Sequence, residues 1–368
     1  MDLFRKIVAT TLLLLLFLSN SFLSAHASFC IEPMFSVIWI TDTQYLSEKF
    51  PWNFDTVCKW IVDHEELLNV KAVIHTGDMV EHSDNMKEWN RANHSMSILL
   101  KNDIPYCWDA GNHDQFGGVV WYGKNFTAFD AEMMSEKNYW VSDKLNGKNT
   151  AIRFRAADWD FLVINIEFQP SYEVLKWVNR LLELYPDYHT IIAIHAYLNG
   201  VGEYEDWEES FEQEYFEQKV LAIHSNVFLT LNGHFTDGNR TSRTFTNNRH
   251  ELFFNYQHTG GAGDATIRIL TFSKEDDTIF VNTINTVKNQ FLVDPANCFT
   301  LDIPFYEESH NAGNLTLLEN SNLTKCEGTE WTEVLPEFPH ITCSMFILVF
   351  LISSPALIKR KIRKTQNC

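Results

Sequence analysis

Short apolar runs recur along the chain, and each ends abruptly in polar residues. Ser36–Ile40 leads into Thr41-Asp42-Thr43-Gln44, Ala72–Ile74 into His75-Thr76-Gly77-Asp78, and Ile104–Trp108 towards Gly111-Asn112-His113-Asp114. Thr190–Ile194 ends in His195, and Val227–Leu231 ends in Asn232-Gly233-His234. Continuous apolar runs of this length suit strands buried on both faces. Between them, Phe54–Leu68, Lys87–Leu100 and Tyr172–Tyr185 carry apolar residues at three- and four-residue spacing, the signature of amphipathic helices. Strands alternating with helices predict an α/β fold built on a largely parallel sheet, with ligand sites beyond the carboxyl ends of the strands. All five polar clusters fall at such ends.

Farther on, Ala265–Ser273 and Thr278–Ile284 read as two strands joined by the turn Lys274–Asp277, and they close the core. Residues 289–338 read as an irregular stalk, which places the folded domain at 30–288. The chain begins with a segment expected to be a signal peptide, residues 1–27: Arg5 and Lys6 precede the apolar run Ile7–Leu18, and Ala25-His26-Ala27 offers a cleavage site. Residues 341–358 form a second apolar run whose 18 residues would span about 27 Å as a helix. Lys359, Arg360, Lys361, Arg363 and Lys364 follow at once, as expected of a short cytoplasmic tail (359–368) under the positive-inside rule. The expectation is a single-pass type I membrane protein of the secretory pathway, anchored through its C-terminal helix with its catalytic part outside the cytosol. Sequons beginning at Asn93, Asn125, Asn239, Asn314 and Asn322 suit that side of the membrane.

Composition narrows the function. With 29 basic against 48 acidic residues among 368, the net charge is -19, which excludes a protein that wraps nucleic acid by neutralising its phosphates. Small anionic substrates remain compatible, because a local metal centre outweighs the global field. Cys30, Cys58, Cys107, Cys298 and Cys326 would lie on the lumenal side; their number is odd, and Cys298–Cys326 is the local pairing expected.

Asp, Asn, Gln and His are the ligands that a hard or borderline divalent cation accepts, and a pair of such cations needs one carboxylate to bridge them. Asp78, after a glycine that lets the chain turn sharply, suits that role. Asp42 as a turn residue and Asn112 as a turn former would each be ordinary alone; at five strand ends together they are not. In order, Asp42-Thr43-Gln44, Gly77-Asp78-Met79-Val80-Glu81, Gly111-Asn112-His113-Asp114, His195 and Gly233-His234-Phe235-Thr236 resemble the five blocks of the calcineurin-like metallophosphoesterases, over roughly residues 35–288. The resemblance implies a sandwich of two mixed β-sheets flanked by helices. It also implies one metal position held by Asp42, Gln44 and Asp78 and another held by Asp78, Asn112, His195 and His234. His113 would face a small phosphorylated substrate with Asp114 orienting its ring, and a metal-bound hydroxide would attack phosphorus. The chain departs from the pattern twice, with Gln44 where the first block usually has histidine and Thr236 where the last block has its second histidine. Both departures fall on the first position and make it harder, favouring Mn²⁺, with Mg²⁺, Fe or Zn²⁺ as alternatives.

Two functions follow as competitors: a metal-dependent hydrolase of phosphoester or phosphoanhydride bonds, and a catalytically degenerate membrane glycoprotein that keeps the fold for binding. His64, His75 and His94 lack a surrounding motif and read as structural or surface residues, and Glu81 and Asp109 as supporting or loop residues. Gln257 either approaches the site or belongs to a core strand. The segment Glu203–Glu217, with eight acidic residues and none basic, reads as a solvated amphipathic helix or as a lid.

Overall fold

The computed structural model describes residues 34–115, 123–204, 211–236 and 239–303. Among the described residues fourteen strands form two sheets: β1 Phe35–Ile40, β2 Val70–His75, β3 Tyr106–Trp108, β4 Trp140–Lys144, β5 Asn149–Ala156, β6 Trp159–Ile166, β7 His189–Ile194, β8 Val227–Asn232, β9 Thr241–Thr246, β10 Arg249–Phe254, β11 Thr266–Ser273, β12 Thr278–Asn285, β13 Gln290–Leu292 and β14 Cys298–Asp302. The first sheet runs β13-β12-β11-β1-β2-β3, with β14 sharing the outer edge of β12, and the second runs β4-β5-β6-β7-β8-β10-β9.

Each sheet has a parallel centre. β1, β2 and β3 pair in parallel in the first sheet, and β6, β7, β8 and β10 in the second. The flanking pairs are antiparallel. The fold is therefore the mixed two-sheet sandwich, and the largely parallel single sheet expected from strand–helix alternation holds only for these centres. Five of the strands carry the apolar runs that end in polar clusters, with ends shifted by a residue or two. The helices α1 Gln44–Lys49, α2 Pro51–Leu68, α3 Met86–Lys101, α4 Asn112–Gln115, α5 Ala131–Met134, α6 Tyr172–Leu184 and α7 Phe211–Tyr215 fill the connections, and α7 runs on into a π-helical turn at Phe216–Leu221.

Two-residue alternation divides the buried side chains between layers. Phe161 and Val163 of β6 join the main core with Phe35, Trp39, Ile191, Phe228 and Phe272. Their neighbours Leu162, Ile164 and Ile166 pack on the other face with Val174, Leu175 and Val178 of α6 and with Phe216 and Val220. Phe161 stacks on Phe154 at 4.9 Å and meets Phe35 edge-on at 5.4 Å; truncating such a residue costs about 3–5 kcal/mol.

Past the boundary expected at residue 288, β13 and β14 still pair with β12, so the described fold continues to Ile303, and the rest of the expected stalk, 304–338, lies outside the described residues. Arg268, fully buried, holds this extension: its guanidinium lies 4.7 Å from the Phe254 ring and 5.4 Å from Phe299, and it donates to the Ala296 carbonyl at 3.0 Å. Cys58 and Cys107 are buried free thiols, and Cys298 is disulfide-bonded to a partner outside the described residues. The segments 1–27, 341–358 and 359–368 also lie outside them. No helix among the described residues is long and apolar enough to cross a membrane.

Candidate metal centre

All five ligand-bearing blocks reach one edge of the sandwich, because β1, β2, β3, β7 and β8 present their carboxyl ends there. Three of the turns use left-handed backbone: φ is 49° at Asp42, 54° at Asp78 and 75° at His234. Non-glycine residues rarely adopt that region, and such positions cluster where function requires a fixed side-chain direction. Glycines permit the close approach. A Cβ at Gly111 would collide with the Asp78 carboxylate and amide, and one at Gly233 with Thr41 Oγ1 and Asp42 Oδ2.

Donor atoms from Asp78, His195 and His234 all lie within 4.8 Å of one another. Asn112 joins them through its side-chain oxygen, 2.9 Å from His195 Nε2, and the same nitrogen is 3.5 Å from Asp78 Oδ1. The carbonyl of Thr76 sits 2.8 Å from His195 Nδ1 and accepts its proton, which leaves Nε2 as the ligand atom. The structure thus brings together the four residues expected to form the second metal position.

The first position is built differently. Gln44 is buried and donates through Nε2 to Asp78 Oδ2 at 3.2 Å, while its Oε1 is buried without a hydrogen-bond partner. An orphaned oxygen beside a carboxylate is what a cation ligand looks like before the cation is counted. Asp42 is buried nearby, but its oxygens accept the His234 amide at 3.1 Å and the Thr41 hydroxyl, so it holds the loop of His234 as well as facing the site. Thr236, exposed at the rim, lines the same cleft.

Electrostatics fit a cation. Burial would raise the Asp78 carboxyl, but His195, His113 and His234 hold it below the usual carboxylate range. Asp42 is pushed up to about 7 by burial and by Asp78, against the pull of His195. His195 is raised to about 10, because Asp78, Asp42 and Asp109 overcome the burial that would lower it. His234 falls to about 3 through burial and repulsion by His195. The cluster thus carries more negative charge than it can neutralise, and the His195 proton offsets part of it; a divalent cation would displace that proton and take over its role. The donor set of carboxylates, imidazoles and amide oxygens fits such a cation.

His113 is placed as expected and oriented by a different residue. Its amide donates to Asp78 Oδ1 at 2.9 Å, and its Nδ1 donates to the Glu81 carbonyl at 3.0 Å, with Glu81 Oε2 at 3.3 Å. Burial opposes its protonation, but Asp78 and Glu81 raise its pKa overall. Asp114 does not orient the ring. One of its oxygens accepts the Met79 and Val80 amides at 2.9 and 3.2 Å, and the other accepts the Gly111 amide at 2.8 Å. It ties the Asp78 loop to the Asn112 loop, and Glu81, read from the sequence only as a supporting or loop residue, holds the His113 ring in place of Asp114.

A cleft of about 520 Å³ opens over the cluster, lined by Gln44, Asp78, His113, His234 and Thr236 together with Tyr45, Asn199, Val201, Phe235, Gln257 and His258. Gln257 therefore reaches the site. Tyr45, Asn199, Val201 and His258 carried no motif and join the wall only through the fold. His75 is buried, its Nε2 2.9 Å from Thr43 Oγ1, while His64 bonds its own helix.

The family model of the calcineurin-like phosphoesterases matches residues 35–282. The uncharacterized protein YvnB of Bacillus subtilis is 29% identical over 263 residues; the alignment covers 68% of this chain and 20% of YvnB, so the chain spans about a fifth of that relative. A dimetal phosphatase from Danio rerio has a TM-score of 0.49 at 13% identity, over 74% of this chain and 100% of that one. A purple acid phosphatase from yellow lupin has a TM-score of 0.47 at 14% identity, over 74% of this chain and 54% of that one.

Proposed function

Because the chain belongs to the calcineurin-like phosphoesterase family, we propose that it hydrolyses phosphoester bonds with divalent cations held at Asp78, Asn112, His195 and His234, and at Asp42, Gln44 and Asp78. The observation that carries this reading is the convergence of donor atoms from Asp78, His195 and His234 within 4.8 Å of one another, with Asp78 and His234 lining an open cleft. Bound cations would supply Lewis acidity, setting positive charge against the phosphoryl oxygens and activating water. His113, on the cleft wall, donates a hydrogen bond to a phosphoryl oxygen or a proton to the leaving group, and its Nδ1 contact with Glu81 leaves Nε2 for that task. Asp114 holds the loops of Asp78 and Asn112 at fixed separation.

Mn²⁺ is the cation we assign first, since the first position offers amide and carboxylate oxygens in place of imidazole. The decisive experiment measures hydrolysis of nitrophenyl phosphates and nucleotide diphosphates by the full chain with Mn²⁺, alongside its metal content. Turnover unchanged by Asp78→Asn and His195→Ala would refute the assignment. The departures at Gln44 and Thr236 support the second reading, a fold kept for binding; a purified protein with neither bound metal nor metal-dependent turnover would establish it. We place the domain outside the cytosol, anchored through residues 341–358. The 1–27 segment supports this, as do sequon residues Asn125 and Asn239, both exposed. A mobility shift on deglycosylation checks the placement.

A further inference from the structure

Thr236 stands where the family pattern has its second histidine, and it is exposed at the rim, which leaves Asp42, Gln44 and Asp78 to hold the first metal position. A hard divalent cation gathers oxygen ligands from carboxylates, amides and water, and three protein residues fill only part of such a shell. A further amide oxygen stands at the same edge of the sandwich. β10 runs parallel to β8, with Phe253 beside Asn232, so the carboxyl end of β10 lies next to the strand end that carries His234. Gln257 follows three residues beyond that end, and its backbone amide donates to the Asn255 side-chain oxygen at 2.9 Å. It lines the main cleft together with Gln44 and Asp78, and it lines a second, narrow crevice together with Asp42. Gln257 therefore shares a cavity with each of the three residues assigned to the first position.

Its chemistry matches that place. Gln257 Oε1 is buried without a hydrogen-bond partner, and so is Oε1 of Gln44, whose Nε2 is engaged by Asp78. Buried acceptors are nearly always satisfied in folded proteins. Two orphaned amide oxygens that share cavities with Asp42 and Asp78 make a set of acceptors lacking a positive centre, and amide and carboxylate oxygens are the ligands that Mn²⁺ and Mg²⁺ prefer. Tyr45 lines both cavities as well, but its ring packs on His258 at 5.3 Å, and burial together with Glu81 raises the pKa of its phenol, so it keeps its proton and makes a poorer ligand.

We propose that Gln257 Oε1 is a ligand of the first metal position, supplied from outside the five blocks in place of the histidine that Thr236 replaces; the proposal rests on the metal centre of the hydrolase reading. The test is Mn²⁺ calorimetry on the full chain, first stripped of metal, comparing the parent with Gln44→Leu, Gln257→Leu and Gln257→Glu. Gln44→Leu marks which of the two binding steps belongs to the first position. Gln257→Leu should weaken that same step by about tenfold or more, since even residues that only support a metal ligand cost that much when removed. The other step should change less than about twofold, and the Tm of the metal-free protein should stay within about 2 °C of the parent's, as expected where no internal contact is lost. Gln257→Glu keeps an oxygen at that point and should bind Mn²⁺ at least as tightly as the parent. Parental affinity at both steps in Gln257→Leu, a Gln257→Glu protein as weak as Gln257→Leu, or Gln44→Leu and Gln257→Leu failing to weaken the same step each overturn the proposal. So do a parent that binds a single Mn²⁺ and a loss at both steps with a lowered Tm, the latter making Gln257 a structural residue. Metal-dependent turnover in any of these cases leaves the hydrolase reading standing. A parent with neither bound Mn²⁺ nor turnover of nitrophenyl phosphates or nucleotide diphosphates overturns both.

Discussion

Removing one partner of the Arg249–Glu251 pair should unfold the second sheet far more readily than removing both. The two residues stand two apart on β10 and so share a face, and both are buried. Arg249 donates through Nε and Nη2 to Glu251 Oε1 at 3.0 and 2.7 Å and through Nη1 to the Leu221 carbonyl at 3.3 Å. The other carboxylate oxygen accepts the Tyr204 hydroxyl at 2.8 Å. In Glu251→Leu the guanidinium keeps only Leu221, and a buried charge stripped of its partner costs about 3–5 kcal/mol. At about 2–4 °C per kcal/mol for a domain of this size, Tm should fall by roughly 6–20 °C. The double variant Arg249→Met/Glu251→Leu leaves no charge to strand, so it should lie within about 2 kcal/mol of the parent. Thermal unfolding of the parent, both single variants and the double variant at pH 7.5 gives the coupling energy directly. The Tyr204 contact adds a functional readout. Tyr204 pairs with Leu198 across the loop that presents Asn199 and Val201 to the cleft, so the single variants should also raise KM. Additive single-variant losses, with the double variant the least stable, would refute this account.

Thr236→His restores an imidazole on the wall shared with Gln44 and Asp78, and should tighten the weaker Mn²⁺ site about tenfold by calorimetry, or about 1.4 kcal/mol; an unchanged isotherm would mean that Thr236 points elsewhere. Asp114→Ala strips three backbone amides of their acceptor and should cost about 2–4 kcal/mol while weakening metal binding, whereas Asp114→Asn should lose about half as much. Equal stability of the alanine variant and the parent in urea would rule out the tie between the loops. His189 at the start of β7 has its pKa lowered to about 4 by burial. The unfolded chain therefore takes up that proton first as pH falls through about 6.5, and stability drops between there and pH 4. After allowance for partial exposure the loss is about 1–2 kcal/mol. His189→Gln should abolish that share of the difference in Tm between pH 7.5 and 4.5; identical differences in variant and parent would show that other groups carry it.

The parts of the molecule legible in the sequence are those where one residue reports both its element and its task. Asp42, Asp78, Asn112, His195 and His234 each follow an apolar run, so strand end and candidate ligand are visible together, and the sheet order brings the five to one edge. β6 is as apolar as those runs but ends at Ile166-Glu167, where no ligand marks it. β10 hides more deeply, because Arg249 and Glu251 neutralise each other inside the fold and neither looks like a core residue alone. β13 and β14 are 3 and 5 residues long and stabilised by pairing with β12, a contact that no local pattern announces.

The same logic separates the metal centre from the cleft above it. Metal ligands must be chemically special, so their identities survive as a pattern of Asp, Asn and His at fixed places. Tyr45 is an ordinary residue of α1, Val201 and His258 are ordinary residues on two separate loops, and what makes them a cleft wall is position alone. Asp114 shows how the two kinds of information combine: its place beside His113 suggested a catalytic pair, yet its carboxylate is spent on the amides of Gly111, Met79 and Val80. The ring of His113 turns instead to Glu81, 32 residues away in sequence. A motif therefore locates the chemistry, while the backbone turns around it decide which neighbour serves which atom. In this chain the candidate ligands therefore lie in the blocks, and the rest of the cleft wall is supplied by residues that only the fold brings there.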